Sequence, residues 1–257
     1  MGDAAVLGAG ASTGLSMSVS PAQQLGTNAL WVNEVFGPTV QGEGLSTGVP
    51  AVFVRLAHCP LGCSWCDTRY SWDWSQFDRK AETHARDCAD VWDEVAGMGG
   101  PGVRTLVITG GEPAMQVSAL APLLSAARAA DWSTEMETSG VGGLGPVSEL
   151  LDVVTVSPKL ANSGMLATRR LRPAVLAELA ANPCVVWKFV VDNVSDLDEV
   201  DELVARYSMR NVFVMPQATT PDQVLAGTSA LVAPAVARGY RVSTRLHILL
   251  WGNQRGR

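Results

Sequence analysis

The chain has 257 residues, 47% of them hydrophobic and 17% charged, enough apolar material for one large α/β domain or two small ones. Its formal net charge of −6 disfavours nucleic acid or an anionic membrane as the main partner, and no apolar run approaches the roughly 18–20 residues that span a bilayer. Five cysteines, an odd number unevenly placed, suit metal or catalytic chemistry better than a disulfide framework.

Residues 1–27 are almost all small, with a single acid and no Lys or Arg. A secretory signal needs a basic start and a stronger apolar stretch, so this segment reads as a disordered extension of a cytoplasmic protein. Beyond it, short apolar runs rich in β-branched residues predict strands at 51–56, 105–109, 134–138, 153–157, 185–191 and 211–215. Continuous rather than alternating apolarity marks strands covered on both faces, as in a parallel sheet flanked by helices.

Helical patterns fall between these runs. Over 82–98, Ala85, Cys88, Trp92, Val95 and Ala96 share one face. Residues 195–207 place Leu197, Val200, Val204 and Tyr207 together, with Ser195 as N-cap and Asp198 at the third position. Thr220-Pro221-Asp222-Gln223 combines a capping box with proline at the first helical position. Shorter helices are expected at 117–130 and 173–181. This alternation predicts an α/β fold, a partial, open TIM-type barrel of about six βα units, with a flat doubly wound sheet as its competitor. Residues 28–257 are expected to form one catalytic domain.

Polar and glycine-bearing residues gather where the predicted strands end. Thr109-Gly110-Gly111-Glu112-Pro113, Glu137-Thr138-Ser139-Gly140, Ser157-Pro158-Lys159 and Met215-Pro216-Gln217 each close a strand, and a cysteine loop follows the first one. Such ends converge on one mouth in α/β barrels, which points to an enzyme.

Cys88, on an apolar helix face, and Cys184, beside a buried strand, read as core thiols. Cys59, Cys63 and Cys66 instead crowd one loop as C-x3-C-x2-C. Zinc with His58 as a fourth ligand is one reading, although His58 and Cys59 are adjacent and no second C-x2-C pair completes a structural site. Three thiolates on a four-iron cluster form the other reading, and one iron would then stay open to a small molecule.

C-x3-C-x2-C with Trp65 before the last cysteine, and Gly110–Pro113 after the next strand, resembles the radical S-adenosylmethionine (SAM) enzymes. More specifically, VNEVFGPTVQGEG (residues 32–44), GVPAVFVRLAHCPLGCSWCDT (48–68), T-G-G-E-P, E-T-S-G, V-S-P-K, K-F-V-V and the final R-L-H-x-L-x-W resemble the 7-carboxy-7-deazaguanine synthase family. The resemblance runs from about residue 31 to the end and leaves the first 27 residues without a counterpart.

The resemblance implies conversion of 6-carboxy-5,6,7,8-tetrahydropterin to 7-carboxy-7-deazaguanine, with ring contraction and ammonia release, in 7-deazapurine (queuosine-type) biosynthesis. It implies catalytic use of SAM, a 4Fe–4S cluster and Mg2+. Cys59, Cys63 and Cys66 would hold the cluster and Thr68 the Mg2+. Trp65, Cys66, Asp67, Gly111, Glu112, Glu137, Ser157, Pro158, Lys159 and Gln217 would line the SAM side. Val40, Gln41, Gly42, Glu43, Arg55 and Thr109 would hold the pterin, with Arg55 on its carboxylate. A one-electron donor such as flavodoxin or ferredoxin and a homodimer are further family-level expectations. A glycyl-radical activase and a noncatalytic zinc-stabilised binding module stand as alternatives. His247 reads as structural, His84 as an exposed helix residue, and Trp31, Trp72 and Trp74, near the cysteine loop, as shielding a cluster or packing a core.

Overall fold

A computed structural model of the chain describes residues 28–257, so the expected N-terminal extension lies outside the described residues. The strands are β1 (Ala29–Val40), β2 (Pro50–Leu56), β3 (His84–Asp87), β4 (Thr105–Gly110), β5 (Ser133–Thr138), β6 (Val153–Val156), β7 (Val185–Val191), β8 (Val212–Pro216) and β9 (Arg241–Val242). The helices are α1 (Arg79–Glu82), α2 (Cys88–Met98), α3 (Val117–Ala129), α4 (Ala167–Arg170), α5 (Pro173–Ala180), α6 (Asp196–Tyr207), α7 (Pro221–Arg238) and α8 (Leu246–Trp251).

All nine strands form one sheet in the order β3-β1-β2-β4-β5-β6-β7-β8-β9. From β2 through β9 every neighbouring pair is parallel, and the two edges, β3 and β9, do not meet. Spatial order follows chain order from β4 onward, without the reversal that defines a doubly wound sheet. The fold is therefore the open, partial barrel.

Three strands escape the apolar-run reading: β1, β3 and the two-residue β9. β1 is interrupted by Asn33, Glu34, Gly37 and Pro38, yet pairs antiparallel with β2, with a register shift between Phe36 and Thr39 that accommodates the proline. β3 pairs antiparallel with β1 across Ala29↔Asp87 to Val32↔His84, so the helix expected over 82–98 begins only at Cys88. Asp87 ends the strand and caps α2, its side chain accepting from Ala89 N at 2.8 Å. His84 is exposed on β3 rather than on a helix. Thr220 does cap α7, with Gln223 N at 3.4 Å. Ser195 does not cap α6 through its side chain; its hydroxyl donates to Asn193.

Alternation along each barrel strand sorts the residues by face. Val52, Val54, Leu56, Leu106, Ile108, Met136, Val154, Val156, Trp187, Phe189 and Val214 point outward into the main core beneath the helices. Arg55, Thr109, Glu137, Ser157, Lys188 and Met215 take the alternate positions and face the barrel interior. Cys88 belongs to the outer core, its Sγ near the Ala119 carbonyl at 3.2 Å, and Cys184 is half-buried just before β7. Among the described residues no helix is long and apolar enough to cross a membrane.

Candidate active site

The carboxyl ends of the parallel strands open on a cavity of about 280 Å3. Of the residues that the family resemblance assigns to cluster, Mg2+, SAM and pterin, all line it except Glu112 and Pro158. Cys59, Cys63, Trp65, Cys66, Asp67 and Thr68 arrive on the loop after β2. Val40 ends β1, and Gln41, Gly42 and Glu43 arrive on the loop after it. Arg55, Thr109, Gly111, Glu137, Ser157, Lys159 and Gln217 arrive from the barrel strands and their ends.

The Gly-Gly pair is fixed by close approach. Gly110 has φ +126°, and a Cβ there would lie 2.3 Å from Leu56 N and O. At Gly111 a Cβ would lie 2.0 Å from the His58 carbonyl oxygen. That oxygen accepts Glu112 N at 2.8 Å, which ties the turn after β4 to the start of the cysteine loop. Glu112, expected on the SAM side, has its carboxylate turned into the wall. It accepts from Ala114 N at 2.9 Å, Thr138 Oγ1 at 2.5 Å, Ser139 N at 2.8 Å and Ser139 Oγ, and is 1% exposed. Its side chain therefore locks the end of β4 to the end of β5 and leaves the Gly110–Gly111 backbone to face the cavity.

Among the described residues no three His, Cys, Asp or Glu side chains converge on a single-ion site. His58, weighed above as a zinc ligand, does not line the cavity. It adopts a left-handed backbone (φ 74°) and packs its ring edge-on between Trp31 and Trp74, at 5.9 and 5.6 Å. Burial, and then Arg79, hold its pKa down at about 4.

The donor set fits a four-iron cluster instead. Three unpaired thiols from one loop face one cavity, with no fourth thiol beside them. The Trp72 indole Nε1–H lies 3.3 Å from Cys66 Sγ, the kind of donor a cluster thiolate accepts. Burial, and then Glu112, push the Cys59 thiol up, and burial pushes Cys63 up against Lys159. Ionising such thiols requires iron's positive charge. On the far wall Lys159 Nζ sits 5.5 Å from the Trp65 ring centroid and donates to Ser157 Oγ at 3.2 Å, a polar and aromatic lining suited to a nucleoside.

A network of buried charges forms the floor. Glu43 Oε2 accepts from Lys188 Nζ, and Glu43 Oε1 accepts from Arg245 Nε at 2.9 Å. Arg245 also donates to Asp67. Gln41 Nε2 donates to Glu137 Oε1 at 3.1 Å, and Thr109 Oγ1 donates to Glu137 Oε2 at 2.7 Å. Burial alone would raise the Glu43 pKa, but Lys188, Arg245 and His247 outweigh it and hold the carboxyl well below the usual range. Burial likewise opposes the Lys188 charge, and Glu43 with Glu137 reverses that. Gly42 has no room for a Cβ, which would fall 2.1 Å from His247 Nδ1, so the Q-G-E-G glycine seats the imidazole.

The chain is 40% identical over 232 residues to the 7-carboxy-7-deazaguanine synthase of Pyrobaculum aerophilum, a match covering 88% of this chain and 96% of that protein. The chain belongs to the 7-carboxy-7-deazaguanine synthase family. Its radical SAM chemistry requires a 4Fe–4S cluster and SAM. The synthase of Bacillus subtilis is 34% identical, with coverage of 88% and 97%. The crystal structure of QueE from Escherichia coli superposes with a TM-score of 0.63 at 30% identity, covering 84% of this chain and 93% of that one. A 4Fe-4S single cluster domain model matches residues 40–143. Streptococcus suis SuiB bound to its precursor peptide shares the fold alone, with a TM-score of 0.53 at 13% identity over 72% of this chain and 46% of that one.

Within this synthase-family fold the structure adds residues that the sequence left without a role. Lys188, Arg245 and His247 come from K-F-V-V and R-L-H, and Phe36, Tyr70, Trp72 and residues 253–257 also line the cavity. Arg255 closes over the Arg55 wall, donating to Glu34 Oε2 at 3.0 Å and lying 4.1 Å from the Tyr70 ring centroid. Arg55 itself donates to Glu34 Oε1 at 2.7 Å and lies 5.2 Å from the Phe36 ring centroid. Lys188 was legible as a lone cation in an otherwise apolar strand, whereas Arg245 carried no signal beyond its motif.

Proposed function

We propose that this protein converts 6-carboxy-5,6,7,8-tetrahydropterin to 7-carboxy-7-deazaguanine, contracting the ring and releasing ammonia. The observation carrying this reading is that three unpaired thiols and the Q-G-E-G loop line one cavity together with Thr109 and Glu137. When bound, the cluster and SAM supply a 5′-deoxyadenosyl radical for hydrogen abstraction. Cys59, Cys63 and Cys66 would hold the cluster, and the Gly111 backbone, Trp65, Ser157 and Lys159 would face SAM.

The chain's own contribution is orientation and exclusion of water. Thr109 and Gln41, both assigned to the pterin, fix Glu137, so its carboxylate, expected on the SAM side from its motif, instead presents a set acceptor to the N–H edge of a pterin. Glu43 stays ionised through Lys188 and Arg245. Arg55 offers its fork to the substrate carboxylate from beside Glu34. Thr68, whose Oγ1 lies 3.6 Å from Cys66 Sγ, would offer one hydroxyl oxygen to Mg2+, an ion that takes few protein ligands and would supply positive charge for the substrate carboxylate.

Residues 28–257 act as one catalytic domain in the cytoplasm, where thiols stay reduced. The enzyme takes electrons from a flavodoxin- or ferredoxin-type carrier. A homodimer is supported by α7, whose exposed Leu225, Val232 and Val236 form an apolar stripe.

The test is anaerobic incubation of reconstituted protein with carboxytetrahydropterin, SAM, dithionite and Mg2+. The deazaguanine acid is expected, with its yield dependent on Mg2+. Loss of substrate to any other product overturns the reading.

A further inference from the structure

Arg245, from the R-L-H run, is 8% exposed, and each of its guanidinium nitrogens is committed to a different segment. Nε donates to Glu43 Oε1 at 2.9 Å on the loop after β1, Nη2 to Asp67 on the cysteine loop, and Nη1 to the Ala218 carbonyl after β8. The second oxygen of Glu43 is taken by Lys188 from β7. The backbone is clasped at the same place, since Leu246 N donates to Gly42 O at 2.8 Å and Gly44 N donates to Ser243 Oγ at 2.8 Å. Buried ion pairs are poor stability devices, and their best-attested use is to fix registry. Only a planar fork reaches three acceptors around its rim, which a lysine ammonium at the end of one stem cannot do.

We propose that Arg245 is a positioning residue that clasps the cysteine loop to the Q-G-E-G loop, holding the cofactor wall and the substrate wall of the cavity at one spacing. The inference rests on the reaction proposed above. Hydrogen transfer between two bound molecules needs reacting atoms about 3–3.5 Å apart, and a slip of about 1 Å costs on the order of 10²-fold in rate. Asp67 follows the third cluster cysteine, and Glu43 lies in the loop assigned to the pterin. Loosening the clasp therefore leaves each wall able to take its own ligand while misaligning the two.

The test compares wild type, Arg245→Lys and Asp67→Asn in cluster-reconstituted protein. In both variants kcat for product falls about 10²-fold with KM changed less than about threefold, and 5′-deoxyadenosine released per product rises at least about tenfold. Iron content stays at the wild-type level. In cluster-free protein, amide hydrogen exchange over 41–49 and 64–70 quickens together in both variants, while β4 and β5 keep their protection.

A lysine variant with wild-type kcat and deoxyadenosine ratio overturns the proposal, as does a fall in kcat at constant ratio, which marks general loss of structure. Asp67→Asn removes one arm only and decides the matter if Arg245→Lys does not fold. The exchange measurement needs no substrate, so it judges the clasp even if wild type makes no product, an outcome that overturns the reaction instead.

Discussion

Replacing Lys188 with methionine removes the cation that partners Glu43 and keeps nearly the same side-chain volume. Lys188 and Glu43 side chains are 7% and 12% exposed, so the variant leaves a carboxylate buried beside Glu137 with Arg245 as its remaining strong partner. Removing one member of a buried pair costs about 3–5 kcal/mol, and for a chain of this size each kcal/mol moves Tm by about 2–4 °C. A fall of about 6–20 °C at pH 7 is expected in the cluster-free protein, read by circular dichroism.

The pH dependence fixes the cause. The folded pKa of Glu43 is held below its ordinary value of 4.5, so its stabilising contribution is full above that pH and is lost as pH falls toward the folded value. In Lys188→Met the folded pKa rises, so the variant loses less on acidification. Its deficit against wild type therefore narrows below about pH 4.5, by up to about 1.4 kcal/mol per pH unit. Adding Glu43→Gln should recover part of the loss. A deficit under about 1 kcal/mol at pH 7, or one unchanged between pH 6 and pH 3.5, would rule out the buried Lys188–Glu43 pair as its source.

Other substitutions test the remaining walls. Gly111→Ala drives a Cβ onto the His58 carbonyl, so it should displace the cysteine loop and lower iron retained after reconstitution; full iron content would contradict the close approach. Trp72→Phe deletes the indole donor to Cys66 Sγ and should lower the cluster potential on the order of tens of mV, because the reduced cluster carries more negative charge for that donor to stabilise. Electrochemistry on the reconstituted protein reads this, and a rise in potential would count against it. Alanine at Cys59, Cys63 or Cys66 should abolish the brown chromophore. Alanine at Cys88 or Cys184 should keep it, and Cys88→Ala should cost stability through its core position. Thr68→Ala should weaken the Mg2+ dependence with the cluster spectrum intact, and loss of that spectrum would reassign the residue.

Strands β4, β6, β7 and β8 were legible because their outward faces are apolar and their inward faces carry only isolated polar groups, whereas β5, with Thr134, Met136 and Thr138 on one face and Glu135 and Glu137 on the other, was legible through its β-branched residues. The run 185–191 coincides with β7 even though Lys188 sits at its centre. β1 was hidden because a strand beside an edge tolerates the bulge and proline that a central strand does not, and its pairing with β2 is set by tertiary register. β3 was read into a helix because Ala85 and Cys88 fit helical spacing, although Asp87 carried the N-cap that separates them. Residues bearing chemistry on strand ends and in the cysteine loop were found from their motifs, since short loops force neighbouring residues into one place. Glu112 was visible as a residue, but the direction of its carboxylate depends on Thr138 and Ser139, another strand away. The Arg245 contacts with Glu43 and Asp67 span most of the chain, and no local pattern encodes them.

The proposed chemistry turns on a radical rearrangement in which SAM is regenerated. Counting 5′-deoxyadenosine against 7-carboxy-7-deazaguanine over many turnovers of the reconstituted wild-type protein tests this without a variant or a probe. Much less than one deoxyadenosine per product is expected, whereas one-for-one consumption of SAM, or SAM loss with no deazaguanine acid, would contradict the reaction.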